Sequence, residues 1–242
     1  LSEKDYGGFV DCPEYLTISR PDVISQIHAD YFVAGAQVVE TNTFGGAKHI
    51  LGEHGLGGQT KEINKVAAQL AKKQAEKYST KDDPKFVAGS IGPGSKLPSL
   101  GHISFDQLYD SYLPQIEGLY EGGVDCFLIE TAQDLLQIKA VVCAISDVLK
   151  EKKDWRPTIV QMTINENGTT LLGSDISAIL AVLESLPIEV IGLNCGVGPL
   201  GMIASIQYFS QNSSKLISIL PNAGLPQIVN NQTCYDLSVE DF

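Results

Sequence analysis

Short apolar runs alternate with longer segments of helical periodicity along most of the chain. Each run has the length of a β-strand and ends at a polar or glycine-rich turn. Continuous apolar runs are typical of strands that are buried on both faces of a sheet. Six such strands are predicted, over residues 37–40, 86–91, 124–129, 158–163, 188–193 and 216–220.

The segments between the runs carry apolar residues at helical spacing, which predicts amphipathic helices. Pro21 opens the first of them, and Ser104 with Gln107 forms a capping box before the third. Ser174 is predicted to cap the fifth. The apolar stripes lie within residues 23–31, 63–71, 108–119, 135–149 and 176–183.

Strands that alternate with helices predict an α/β fold with a parallel sheet. Periodicity leaves two architectures open, a doubly wound sheet and most of a (β/α)8 barrel. Polar residues at the strand ends favour the barrel, because only there do all the C-terminal strand ends converge on one pocket. No linker interrupts residues 1–242, so a single domain is predicted. The polar residues at the strand ends are Asn42, Ser90, Glu130, Thr163, Cys195 and Asn222.

Composition and charge narrow the class of protein. The 242 residues are 43% hydrophobic and 19% charged, which is typical of a globular protein, and the net charge is −12. An acidic chain is a poor candidate for binding nucleic acid or an anionic membrane, and no apolar stretch approaches the ~18 residues of a membrane span. Five widely spaced cysteines without a C-x-x-C pair favour a reducing compartment. Since there is no signal-peptide core and no initiator Met, we expect a cytoplasmic protein and an excised fragment.

Two strand ends carry the residues with the clearest chemistry. Cys195 follows the fifth run between Asn194 and Gly196, where its thiol could be a metal ligand, a nucleophile or core filler. Glu130 ends the third run, so its carboxylate must be solvated, ion-paired or bound to a cation such as a substrate ammonium group. The polar segment 40–45 follows the first run and is longer than a turn requires.

Other candidate motifs are weaker. Residues 89–94 are glycine-rich, but they lack the ending of a P-loop and the spacing of a dinucleotide fingerprint, which favours a tight turn over a phosphate cradle. The four histidines are scattered without an H-x-x-x-H pair, and no nucleophile elbow supports a Ser-His-Asp triad.

A set of motifs in consistent order resembles the homocysteine S-methyltransferase family. Each motif alone is unspecific, but together they extend over nearly the whole chain. The opening residues 1–6 most resemble the N-terminal module of the cobalamin-dependent methionine synthase branch. The matching motifs are Pro21-Asp22-Val23-Ile24, Ala34-Gly35-Ala36, Glu40-Thr41-Asn42-Thr43-Phe44-Gly45, Ser90-Ile91-Gly92-Pro93, Leu128-Ile129-Glu130-Thr131, Gly168-Thr169, Gly192-Leu193-Asn194-Cys195 and Pro221-Asn222-Ala223-Gly224-Leu225-Pro226.

That resemblance implies a (β/α)8 TIM barrel that holds one zinc ion through three cysteines. Cys195 matches the first ligand, and the other two form an adjacent pair that is expected beyond Phe242. The family's opening strand is expected before Leu1, so the six predicted strands correspond to a barrel that lacks its first and last strands. Zinc would deprotonate the thiol of homocysteine, which then accepts a methyl group to give methionine.

The resemblance also implies roles for further residues and partners. Glu130 is expected to hold the ammonium group of homocysteine. Asn42, Thr43 and Asn194 would line the pocket. Asn222 would support its rim. In the methionine synthase branch the methyl donor is methylcobalamin on another module, so downstream folate- and corrinoid-binding modules are the expected partners.

Three alternatives stay open on the sequence. The first is a standalone methyltransferase that uses S-methylmethionine or a betaine as donor. The second is a non-catalytic barrel that has lost its zinc pair, and the third is an unrelated (β/α)8 lyase or isomerase that binds phosphate at the Gly92 turn. With one of three expected ligands, the chain alone is expected to bind zinc weakly and to be inactive. With open sheet edges, it is expected to aggregate or to depend on other segments.

Overall fold

The computed structural model describes residues 1–224, 227–229, 232–235 and 237–238. Six parallel strands form its main sheet, and each matches one of the six predicted runs. They are β1 Val38–Glu40, β2 Phe86–Ile91, β3 Cys126–Ala132, β4 Thr158–Met162, β5 Val190–Asn194 and β6 Leu216–Leu220.

The strand order decides between the two architectures that the sequence leaves open. A doubly wound sheet has its first strand in the interior and reverses direction at a switch point. Here β1 and β6 are the two edges, and each connection advances by one strand, as in a barrel. The six strands curl into a half-barrel, which confirms the expected α/β barrel architecture.

Helices connect the strands, and all five predicted helices are confirmed. The helices are α1 Leu16–Ser19, α2 Pro21–Val33, α3 Lys48–Glu53, α4 Thr60–Tyr78, α5 Phe105–Gly122, α6 Leu135–Lys152, α7 Ile176–Glu184 and α8 Pro199–Asn212. The predicted ones are α2, α4, α5, α6 and α7, whereas α1, α3 and α8 have no predicted counterpart. Short 3-10 helices span Glu3–Tyr6, Pro13–Tyr15, Gly57–Gln59 and Pro98–Leu100.

The two predicted helix caps have different outcomes. The capping box before α5 is confirmed, because Ser104 Oγ accepts from Gln107 N at 3.2 Å and Gln107 Oε1 accepts from Ser104 N at 3.1 Å. The prediction that Ser174 caps α7 is wrong. Asp175 is the cap and accepts from the first backbone N–H groups of that helix. Ser174 lies in the preceding turn, where its N–H donates to Thr170 Oγ1.

The hydrophobic core fills the space between the sheet and its helices. On β3, Phe127 and Ile129 are fully buried in this core, together with Leu119 of α5. Successive side chains of a strand point to opposite faces, so Glu130 lies on the other, concave face of the sheet. This alternation separates an apolar outer layer from a polar inner surface.

The apolar stripe of α2 is only partly buried. Ile24 is 4% exposed, whereas Ile27 and Tyr31 are 44% and 62% exposed. They lie near β1, where Val38 is also exposed. Among the described residues β1 pairs only with β2, so its other edge has no strand partner there.

Beyond β6, the chain forms a two-stranded antiparallel ribbon of β7 Gln227–Val229 and β8 Gln232–Cys234. No strand is predicted there. Within the described ranges, no helix combines the length and the apolar character that crossing a membrane requires.

Candidate functional site

Three strand ends bring polar side chains together on the concave face of the sheet. Ser90 lies near the end of β2, Glu130 near the end of β3, and Asn194 at the end of β5. All three residues are buried. In parallel strands the C-terminal ends meet at one edge of the sheet, which is where active sites of β/α barrels lie.

The Glu130 carboxylate is held by a hydroxyl and an amide. Ser90 Oγ donates to Oε1 at 2.5 Å, and Asn194 Nδ2 lies 3.5 Å from Oε2. No cationic side chain in the described part of the chain forms an ion pair with it. Burial raises the pKa of Glu130, and the hydrogen bond from Ser90 opposes that rise. A buried carboxylate without a counter-ion is a favourable partner for a bound cation.

The Asn194 amide connects Glu130 to the neighbouring loops. Its Oδ1 accepts from Thr131 N at 2.8 Å, and its Nδ2 donates to Thr131 Oγ1 at 2.9 Å. The same Nδ2 lies 3.5 Å from Cys195 Sγ. Thr163, which follows β4, donates its hydroxyl to the Asn194 carbonyl at 3.0 Å. One amide thus ties three strand ends together.

Two residues of the site have left-handed backbone conformations. Thr131 has φ of 56° and Cys195 has φ of 54°, and the pairing of β3 with β4 is irregular between Ile129 and Ala132. Such conformations are unfavourable for residues with a side chain, most of all for a β-branched one, and they cluster at functional sites. Thr131 Oγ1 and Cys195 Sγ lie 3.7 Å apart, and Cys195 is half-buried.

The structure places Asn42 and Thr43 in structural hydrogen bonds. Thr43 is fully buried, and its hydroxyl donates to the Ser90 carbonyl at 2.7 Å. Asn42 is half-buried and donates to the Pro13 carbonyl at 2.8 Å. Both residues therefore support the strand ends, and contact with a substrate stays a prediction for them.

Asn222 follows β6 and is half-buried. Its backbone N–H donates to the Val197 carbonyl at 3.2 Å, which joins the loops after β5 and β6. Its role at the rim stays a prediction. Leu225 and Pro226 of the same motif lie outside the described residues, and so does Phe242.

Sequence reasoning places Ser90 at a strand end of the pocket but assigns no role to Ser90, Thr131 or Glu40. Glu40 ends β1 with its side chain exposed at the sheet edge, and desolvation by its surroundings together with the charge of Glu130 raises its pKa to about 7. Thr131 carries no local signal, because its side chain disfavours the conformation that it adopts.

A metal ion at this site would need donor atoms from the surrounding side chains. Cys195 offers one thiol, the donor type that zinc favours. Within the described residues, no group of three His, Cys, Asp or Glu side chains is placed to hold a metal ion. All five cysteines are free, and Cys234 is exposed on β8. The described residues therefore fit a zinc site in donor type but not in donor number.

Comparison with known proteins identifies the family. A sequence model described as Homocysteine S-methyltransferase matches residues 1–242. The chain is 38% identical over 242 residues to a methionine synthase of Mycobacterium leprae (strain TN), which covers all of this chain and 20% of that protein. It is 38% identical over 226 residues to the methionine synthase of Mycobacterium tuberculosis (strain ATCC 25618 / H37Rv). That match covers 93% of this chain and 19% of that protein. The chain thus spans about a fifth of these relatives.

Solved structures show the same fold. The metallated form of the homocysteine methyltransferase MmuM from Escherichia coli aligns with a TM-score of 0.74 at 23% identity, over 86% of this chain and 75% of that one. Its apo form aligns with a TM-score of 0.70 at 20% identity, over 92% of this chain and 80% of that one. At this identity the likeness concerns the fold alone.

Proposed function

Because this chain belongs to the homocysteine S-methyltransferase family, we propose that it is the homocysteine-binding module of a methionine synthase. The sulfur of homocysteine forms a bond to a methyl group, the methyl–donor bond breaks, and the thiol proton is released, which gives methionine. The observation that carries the proposal is the buried Glu130 carboxylate, which has no cationic partner among the described residues and is joined through Asn194 to Cys195.

Glu130 binds the amino end of the substrate. Its carboxylate pairs with the ammonium group of homocysteine, and this charge compensates for the burial that raises its pKa. Ser90 and Asn194 orient the two carboxylate oxygens. Asn42 and Thr43 support the wall of the pocket, and Asn222 supports its rim.

Cys195 lies at the sulfur end of the site. We assign it as one zinc ligand, with two further cysteines expected beyond Phe242. The described residues supply one donor for this ion, and their own contribution is substrate binding and orientation. The left-handed backbone at Cys195 directs the thiol toward Thr131, next to Glu130.

The methyl donor in this proposal is methylcobalamin on another module. The relatives are about five times as long as this chain, which leaves room for folate- and corrinoid-binding modules. A cytoplasmic location stays a prediction.

Two ligands separate a binding role of Glu130 from a structural one. L-homocysteine carries the ammonium group, and 4-mercaptobutanoate has the same thiol and carboxylate without it. We expect Glu130→Gln to weaken L-homocysteine binding about 10- to 100-fold, because a charge-assisted pair is lost, and to leave 4-mercaptobutanoate nearly unchanged. Glu76→Gln, at an exposed position of α4, is the matched control. Calorimetry on the chain measures both ligands.

Equal losses for the two ligands would contradict the assigned role of Glu130. A second assay measures the methionine formed from homocysteine with zinc and methylcobalamin, in a protein that contains this chain. Methionine formed from S-methylmethionine but not from methylcobalamin would contradict the proposed donor and favour a standalone enzyme.

A further inference from the structure

Apart from the Glu130 site, a cavity lies between the loops that follow β1 and β2. Its volume is about 480 Å³. Its wall comes from the start of α3, the loop after β2 and the first half of α5. The charged and polar residues that matter are Lys48, His49, Lys96, His102, Asp110 and Ser111.

His49 is held in the cavity wall by Ser111. Ser111 Oγ accepts from His49 N at 2.9 Å and lies 2.7 Å from His49 Nδ1. Burial and the charge of Lys96 lower the pKa of His49 to about 4, which keeps the ring neutral.

His49 Nε2 is buried without a hydrogen-bond partner in the described structure, and it faces Gly94 of the loop after β2. His102 is exposed and supplies an N–H donor to the cavity, because its Nδ1 accepts from Leu97 N at 3.3 Å and leaves Nε2 to carry hydrogen.

The positive charges of the two lysines in the cavity wall, Lys48 and Lys96, have no ion-pair partner among the described residues. Asp110 is the opposing charge in the wall, and Glu53 lies close enough to act on His49 from outside the lining. In a chain of net charge −12, this is a local concentration of unpaired cations and N–H donors.

The glycines of the loop after β2 are explained by packing. A Cβ at Gly92 would meet the Phe44 carbonyl at 2.6 Å, and one at Gly94 would meet His49 Nε2 at 2.5 Å. The loop therefore lies against these residues, and the cations of the cavity come from side chains beside it. The phosphate chemistry considered for residues 89–94 is better placed in this neighbouring cavity.

We propose that the cavity between α3 and α5 is a binding site for an oxyanion, a phosphate or carboxylate group, held by Lys48 and Lys96 with the His102 Nε2–H as an additional donor. Ammonium groups and N–H donors are the usual partners of such oxygens. The inference does not depend on the proposed function, since none of these residues belongs to the Glu130 site.

The experiment titrates the chain with inorganic phosphate at constant ionic strength, followed by calorimetry and by the ¹⁵N resonances of the His102 ring. Lys48→Gln and Lys96→Gln each remove one cation, and Asp110→Asn removes the opposing charge. Lys150→Gln, at an exposed position of α6, is the matched control. A parallel titration with acetate distinguishes a carboxylate from a phosphate group.

We expect saturable binding that each lysine variant weakens about fivefold and that Asp110→Asn strengthens by a similar factor, with the control unchanged. The Nε2 resonance of His102 should shift with the same affinity. Stronger binding of acetate than of phosphate would identify the group as a carboxylate. The proposal is overturned if neither anion saturates by roughly 50 mM, or if both lysine variants bind like the parent chain.

Discussion

The Asn194 side chain bonds Thr131 twice, through the Thr131 N–H at 2.8 Å and the Thr131 hydroxyl at 2.9 Å. Thr131 directly follows Glu130, and Asn194 directly precedes Cys195. This one pair therefore fixes the positions of the carboxylate and the thiol relative to each other. It also holds Thr131 in a backbone conformation that its β-branched side chain disfavours.

We expect Asn194→Ala to lower the free energy of unfolding by about 1–3 kcal/mol, because it leaves the Thr131 N–H without its acceptor. Asn212→Ala is the control, since its amide bonds only the Tyr208 carbonyl at an exposed helix end. Urea denaturation measures both variants. Equal unfolding midpoints for the two would contradict a bridging role for Asn194.

Ser90→Ala should change the pH dependence of homocysteine binding. The Ser90 hydroxyl stabilises the ionised form of Glu130, so its removal raises the pKa of a carboxyl that burial already raises. The midpoint of binding should move to higher pH, with affinity recovered under alkaline conditions. Calorimetry between pH 5 and 8 tests this, with Ser146→Ala of α6 as control. An unchanged profile would count against Ser90.

Glu40 makes stability depend on pH. Its pKa is about 7 in the fold against an ordinary value of 4.5, so the folded state holds the proton more tightly than the unfolded chain does. Stability should therefore fall as pH rises from about 4.5 to about 7, and this loss should be absent in Glu40→Gln. Unfolding free energies of both proteins at several pH values measure the difference. Parallel curves would refute the assignment.

Gly192 of β5 permits close contact with β6. A Cβ there would lie 1.9 Å from the Ser218 carbonyl oxygen, which belongs to backbone and cannot turn away. We expect Gly192→Ala to destabilise the fold by about 3 kcal/mol. The control is Gly52→Ala within α3, where the space is open and helix propensity should raise stability by about 0.5–1 kcal/mol. Thermal denaturation should show shifts of opposite sign.

Two N-cap aspartates differ in burial and in what they hold. Asp134 is fully buried and accepts from Leu136 N and from both Ser99 donors, so it caps α6 and anchors the loop after β2. Asp175 is exposed and caps α7 alone. Asp134→Ala should cost about 3 kcal/mol and Asp175→Ala about 1 kcal/mol. Similar losses in denaturant titrations would show that the Ser99 contacts add nothing.

The elements that the sequence predicts well are those with a strong local signal. The strands β2 and β6 have their predicted bounds, because continuous apolar runs can satisfy their burial only inside a covered sheet. The helix α8 has no such signal, since Pro199–Asn212 mixes glycine, serine and exposed apolar residues. The capping box of Ser104 is predicted correctly, because it is a local hydrogen-bond pattern. Ser174 is predicted in place of its neighbour Asp175, because both residue types can cap a helix and the turn before α7 decides which one does.

The sequence by itself determined the six strands, five of the helices and the family, since periodicity and ordered motifs are properties of neighbouring residues. Only the tertiary structure decided that Ser90 donates to Glu130, that Asn194 holds Thr131, and that the lysines beside His49 share a cavity. These contacts join residues that lie far apart in the chain. They depend on the register of parallel strands and on backbone conformations such as the left-handed turn at Thr131, which no local preference favours.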